Sequence, residues 1–197
     1  MKKRKSTKTR DTRETQIEVR LNVDGTGQCD ISTGIGFMDH MLELLGRHAL
    51  IDLHIRAKGD LQVDYHHTVE DLGLVLGDAL NEALGDRAGI TRYGWALLPM
   101  DDTLSRVALD LGGRPYLVYQ IANRKKKIVD FDVDLIREFF QAFTVQGRLN
   151  LHIAQLYGKD VHHAYESVFK GLARALRMAC SLDAGMKGAI PSSKGVL

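Results

Sequence analysis

The sequence predicts an α+β fold of two duplicated two-layer halves, each a mostly four-stranded sheet packed on two helices. Two observations predict it. Apolar residues switch repeatedly between the two-residue period of strands and the 3.6-residue period of helices, and strand runs with interspersed helices build two-layer units. A unit of strand, glycine-containing loop and H-H-x-x-E helix start also occurs twice. His66-His67-Thr68-Val69-Glu70 and His162-His163-Ala164-Tyr165-Glu166 begin 96 positions apart in a chain of 197 residues. A repeat of about half the chain marks a duplication rather than a short-period solenoid.

Residues 1–12 read as a basic, disordered tail, because Met1 to Arg10 hold six of the 27 Lys and Arg and no acidic residue. The first repeat is expected over 13–92. Thr15 to Val23 alternates Ile17, Val19, Leu21 and Val23 with polar residues, as a half-buried strand does. Asp24-Gly25-Thr26-Gly27 is a turn into a second short strand. Phe37 to Leu45 has helical spacing, with Gly46 as its predicted end. Leu50 to Ala57 alternates again, and a helix from Thr68 to Leu84 closes at Gly85. The second repeat, 93–184, has predicted strands at Trp95 to Pro99, Leu104 to Leu111 and Tyr116 to Ala122. A helix from Val133 to Val145, a strand through Leu149, Leu151 and Ile153, and a helix from Val161 to Cys180 follow. Residues 185–197 form a separate C-terminal segment.

Composition narrows the function classes. With 44% hydrophobic and 26% charged residues, the chain resembles an ordinary globular protein and can bury a core without disulfides or structural metal. A metal held here therefore serves chemistry. Cys29 and Cys180 are too few and too distant for a disulfide framework or a metal knuckle, which fits a reducing, cytoplasmic setting. No run of 18 apolar residues exists to span a membrane, and the basic start lacks the apolar stretch of a secretory signal. The tail has no aromatic residue to stack on a base, so a non-enzymatic RNA-binding protein is the weaker alternative. Ile128-Val129-Asp130-Phe131-Asp132-Val133 superficially matches the D-x-D start of a dehalogenase-like phosphatase. However, Arg124-Lys125-Lys126-Lys127 stands where a buried strand is required.

The histidine pairs carry the chemistry. On a helix, residues i and i+4 share a face, while i and i+1 diverge by about 100°. His66 can therefore ligate one cation with Glu70, and His162 with Glu166, while His67 and His163 turn toward a different ion. His40 and His152 are available for the remaining positions, and His48 and His54 read as ordinary structural or surface residues. Imidazole with carboxylate suits Zn, Fe, Ni or Mn, the carboxylates favouring Mn. Pro191-Ser192-Ser193-Lys194-Gly195 offers hydroxyls and a point charge to an anion. Arg92 and Arg114, each in a turn-like setting, add candidate bidentate phosphate contacts.

These residues resemble one known family. Gly34-Ile35-Gly36-Phe37-Met38-Asp39-His40-Met41-Leu42, Asp64-Tyr65 with the first histidine motif, and Arg92-Tyr93-Gly94 are similar to imidazoleglycerol-phosphate dehydratases. So are Pro99-Met100-Asp101, Leu109 to Tyr116, Leu151-His152, the second motif and Pro191 to Leu197. The similarity runs from Arg13 to Leu197. It implies a ribosomal-S5-domain-2-like fold in each half and dehydration of imidazole glycerol phosphate to imidazole acetol phosphate in histidine biosynthesis. It also implies two Mn²⁺ per active site, lying between subunits of a 24-subunit homo-oligomer, and no nucleic-acid or membrane partner. By the same resemblance one metal is held by His66, Glu70, His152 and His163, the other by His40, His67, His162 and Glu166. Arg92, Arg114, Ser192 and Lys194 would bind phosphate. Glu14 would act on substrate as acid or base, completing a catalytic set with Glu70 and Glu166. Two positions depart from the family pattern: Leu44 stands where a Gln is usual, and Tyr65 where Asp is frequent.

Overall fold

The computed structural model describes residues 3–122, 127–195 and 197. Its elements are β1 (Lys5–Asp11), β2 (Thr15–Asn22), β3 (Cys29–Ser32), α1 (Gly36–Ala49), β4 (Asp52–Gly59) and α2 (His66–Leu84). β5 (Tyr93–Met100), β6 (Thr103–Asp110), β7 (Tyr116–Gln120), β8 (Lys127–Ile128), β9 (Phe131–Asp132), α3 (Leu135–Gly147), β10 (Asn150–Tyr157) and α4 (Val161–Cys180) follow. One four-stranded sheet has the order β1-β2-β4-β3 and the other β5-β6-β10-β7. In each, the last strand pairs in parallel and the others antiparallel. The duplicated α+β halves expected from the sequence are thus visible in topology.

Each sheet packs one face on its own helices, α1 and α2 on the first, α3 and α4 on the second. The helices of the two halves also pack on each other, α2 against α3 and α1 against α4. Met38, Leu72, Phe139 and Phe169 consequently belong to one continuous buried cluster. Small residues permit the α2–α3 approach. A Cβ on Gly73 would lie 2.4 Å from the Phe139 carbonyl oxygen, and one on Gly77 2.6 Å from that of Phe143.

Two expectations need correction. Residues 5–11 are not part of a disordered tail but an edge strand, paired with β2 from Lys5↔Asn22 to Asp11↔Gln16. Only Ser6 in it is buried, so hydrophobic periodicity gave no signal. Three cations in and just before it are instead matched by anions elsewhere: Arg4 pairs with Asp24, Lys8 with Asp78 and Glu82, and Arg10 with Asp71. Charge on an edge strand also discourages pairing with other chains. Gly46 does not end α1. It sits inside the helix because a Cβ there would meet Cys29 Sγ at 2.4 Å, and the chain turns at Leu50 with φ 57°.

The phosphatase-like segment is a small hairpin, β8 with β9, rather than a buried parallel strand; Arg124 to Lys126 lie outside the described residues. Asp130 at its tip accepts a 2.5 Å hydrogen bond from Tyr65, whose ring stacks on Phe131. This gives the unusual Tyr65 a structural role, as a tie between the first motif and the second half. Leu44, the other departure, packs against the core.

Gly73→Ala is expected to force α2 from α3 and destabilise the protein by about 1–3 kcal/mol, read as a lower thermal midpoint. Deleting residues 1–11 should also lower the midpoint, whereas removal of a disordered tail would leave it unchanged.

Candidate metal centre

The α1–α4 contact builds one cluster of metal-type donors. His40 on α1 and His162 and Glu166 on α4 have donor atoms within 4.8 Å of one another. His40 Nε2 lies 2.8 Å from Glu166 Oε1, and His162 Nε2 3.1 Å from the same oxygen. The His40 and His162 rings stack at 5.7 Å, and the Phe37 ring meets His162 edge-on at 5.9 Å. Among the described residues no other trio of His, Cys, Asp or Glu donors converges in this way.

Glu166 is buried. Burial pushes its pKa up, but Lys170 and the two histidines outweigh that and hold the carboxyl at about 2. Lys170, one turn along α4, donates to Glu166 Oε2 at 2.5 Å, leaving Oε1 for the cluster. The sequence reading missed Lys170, although its i+4 spacing from Glu166 was visible.

The two histidines of each motif meet different partners: His66 stands near Glu70 and His162 near Glu166, whereas His67 and His163 do not. His67 Nδ1 is 3.0 Å from Asp60 Oδ2, and His163 Nδ1 is 3.1 Å from Asp102 Oδ1. These carboxylates raise the pKa of both histidines. Asp102 itself is held far below the usual carboxylate range by the Lys159 backbone N–H, by His163 and by the Asp160 N–H. Asp160 caps α4, accepting from the His163 N–H at 3.1 Å, and Asp64 accepts from the His66 N–H at 2.8 Å.

The other expected ligands are not gathered within one chain. His66 Nε2 and Glu70 Oε2 are 3.7 Å apart, but His163 stands with Asp101 and Asp102. His152 lies exposed on the outer face of the second sheet. His67 stands beside Glu14, 3.9 Å away, rather than in the His40 cluster. Glu14 is exposed.

Of the phosphate candidates, Arg92 is the one engaged with the C-terminal segment. Arg92 is clamped by Asp110 at 2.7 and 3.0 Å and donates to the Pro191 carbonyl at 2.7 Å. Its guanidinium therefore draws the C-terminal segment against the Gly112–Arg114 turn, where a Cβ on Gly113 would lie 2.7 Å from Leu197. Ser192 Oγ accepts from the Lys194 N–H at 3.2 Å. Arg114 and Lys194 are exposed.

Because Glu166 ionises more readily folded than unfolded, its stabilising contribution is complete above its ordinary pKa of 4.5 and is lost as pH falls toward 2. In metal-free protein, Glu166→Gln should flatten the loss of thermal stability across that window. An unchanged acid limb would contradict this.

The chain has known relatives. The imidazoleglycerol-phosphate dehydratase family model matches residues 33–176. The enzyme of that name from Azorhizobium caulinodans is 57% identical over 188 residues, covering 95% of each chain. That from Xanthobacter autotrophicus is 57% identical over 194 residues, covering 98% of each. The crystal structure of the Staphylococcus aureus dehydratase superposes with a TM-score of 0.83 at 38% identity, covering 91% of this chain and 99% of that one. The Pyrococcus furiosus structure gives 0.82 at 37% identity, covering 96% and 100%. With sequence, family model and fold in agreement over nearly its whole length, this chain belongs to the imidazoleglycerol-phosphate dehydratase family.

Proposed function

We propose that this chain dehydrates imidazole glycerol phosphate to imidazole acetol phosphate, as a hydro-lyase of histidine biosynthesis, at a two-Mn²⁺ centre completed between copies of the chain. The observation that carries the metal reading is the convergence of His40, His162 and Glu166 on one point. Two imidazoles and an ionised carboxylate suit a divalent cation such as Mn²⁺. His67 would complete that set from another copy, while His66, Glu70, His152 and His163 would hold the second ion. A divalent cation held by these residues would supply Lewis acidity to imidazole nitrogens, so that the ring would lose a proton more readily.

The chain's own residues supply the rest. Dehydration removes a hydroxyl from the ring-bearing carbon and a proton from its neighbour, and the resulting enol becomes a ketone by proton return. Glu14, an exposed carboxylate 3.9 Å from His67, is suited to carry that proton. Arg114, Ser192 and Lys194 are suited to hold phosphate. Arg92 shapes the same cradle by clamping the C-terminal segment to Asp110.

Assembly has independent support. The outer face of the second sheet exposes Tyr93, Trp95, Leu97 and Tyr116, each more than half accessible. Trp95 and His152 lie in one row across it, both in register with Ala108. A large apolar patch on a folded protein marks a contact surface, and this one carries a proposed ligand. A second copy of the chain would cover it, consistent with a 24-subunit homo-oligomer. The RNA-binding alternative loses its basis, since Arg4, Lys8 and Arg10 are paired within the chain. No described helix is long and apolar enough to cross a membrane, and the two free cysteines fit a cytoplasmic location.

Turnover of imidazole glycerol phosphate should vanish with a chelator and return with Mn²⁺; undiminished turnover in chelator would contradict the metal reading. Glu14→Gln should lower kcat about 10²–10⁴-fold with metal content intact, and full turnover would remove Glu14 from proton transfer. Trp95→Glu should break the oligomer toward the 22.0 kDa chain, measured by light scattering.

A further inference from the structure

We propose that Asp60 and Asp102 are positioning residues that fix which ring nitrogen His67 and His163 present to metal. The inference rests on the metal reading above. Both aspartates contact Nδ1 of their histidine, at 3.0 and 3.1 Å. A neutral imidazole whose Nδ1–H donates to a carboxylate keeps its proton there and offers the Nε2 lone pair as ligand. Neither Nε2 makes a hydrogen bond in the described structure; the nearest carboxylates are Glu14 at 3.9 Å and Asp101 at 3.5 Å.

The two carboxylates come from places that the duplication does not equate. Asp60 follows β4, directly after Gly59, whereas Asp102 sits in the β5–β6 turn. Gly59 pairs with Thr15, and a Cβ on Gly158 would fall on Thr103, so Gly59 matches Gly158 and Thr15 matches Thr103. By that alignment the counterpart of Asp60 is Lys159, and the counterpart of Asp102 is Glu14. A contact inherited passively from the ancestral half would use matching residues. Here the same Nδ1 contact is built twice from different ones, which points to a requirement of the histidines themselves.

Each aspartate is also held for this purpose. Asp102 accepts from the Lys159 and Asp160 N–H groups at 2.7 and 3.2 Å, so its carboxylate cannot swing. The Asp60 backbone N–H donates to the Glu14 carbonyl at 3.0 Å. Its Oδ1 is buried without a hydrogen-bond partner, which leaves His67 as the single hydrogen-bond partner of that carboxylate among the described residues.

The test is calorimetric titration of Mn²⁺ into the chelator-stripped assembled protein. Asp60→Asn and Asp102→Asn should each weaken binding about 10–100-fold, while Asp78→Asn, on the far part of α2, should not. The metal-free melting midpoint of each variant, measured beside its affinity, separates loss of folding from loss of binding. Adding Asp60→Asn to His67→Ala should weaken binding no further than His67→Ala alone, because the aspartate acts through the ring. Wild-type affinity in both asparagine variants, an additive double variant, or a lowered metal-free midpoint with affinity retained would overturn the inference. If the wild-type protein takes up no Mn²⁺, the metal reading itself fails, which separates the two.

Discussion

The packing of α1 on α4 is the constraint on which the rest of the molecule depends. It joins the two halves, and it carries His40 of the first half to within 2.8 Å of Glu166 in the second. Neither half alone contains the three-donor cluster. The α2–α3 contact, made possible by Gly73 and Gly77 against the α3 backbone, fixes the same relationship from the other side. A site whose donors sit on both halves requires the halves to share one core, and they do.

Helix geometry then sets how the donors divide. A rigid i, i+4 pair such as His162 and Glu166 can face one cation, but the adjacent histidine projects about 100° away. The duplicated motif thus produces two ligand pairs and two outlying histidines in every chain. The outlying histidines are each met by a carboxylate, and Glu166 is met by Lys170. The same electrostatic pattern recurs at all three places: a proposed ligand group has a hydrogen-bonded charged neighbour on the atom that would not face a metal. At Glu166, Lys170 and two imidazoles outweigh the desolvation that would otherwise raise its pKa.

Much of this was legible in the sequence, for identifiable reasons. Helices α2 and α4 bury one face each, so their periodicity gave them away, and the repeated histidine motif stood at their starts. What escaped was structure held by something other than apolar burial. β1 contains no hydrophobic residue and survives on a main-chain ladder and ion pairs. Gly46 looks like a helix stop but is a close approach to Cys29. Asp60 and Asp102 lie in a loop and a turn, and only the fold brings them to His67 and His163. Arg92 is a phosphate candidate from its turn-like setting, and only the fold shows that Asp110 and the Pro191 carbonyl also engage it.

If each motif divides its ligands between two ions, the metal content of His67→Ala will reveal it. Elemental analysis after Mn²⁺ loading should find about two Mn per chain in the wild-type protein and about one in His67→Ala, since one site loses a ligand while the His66–Glu70 site keeps all of its own. Equal loading of the two proteins, or no Mn in either, would show that the motifs do not share their ligands between two ions.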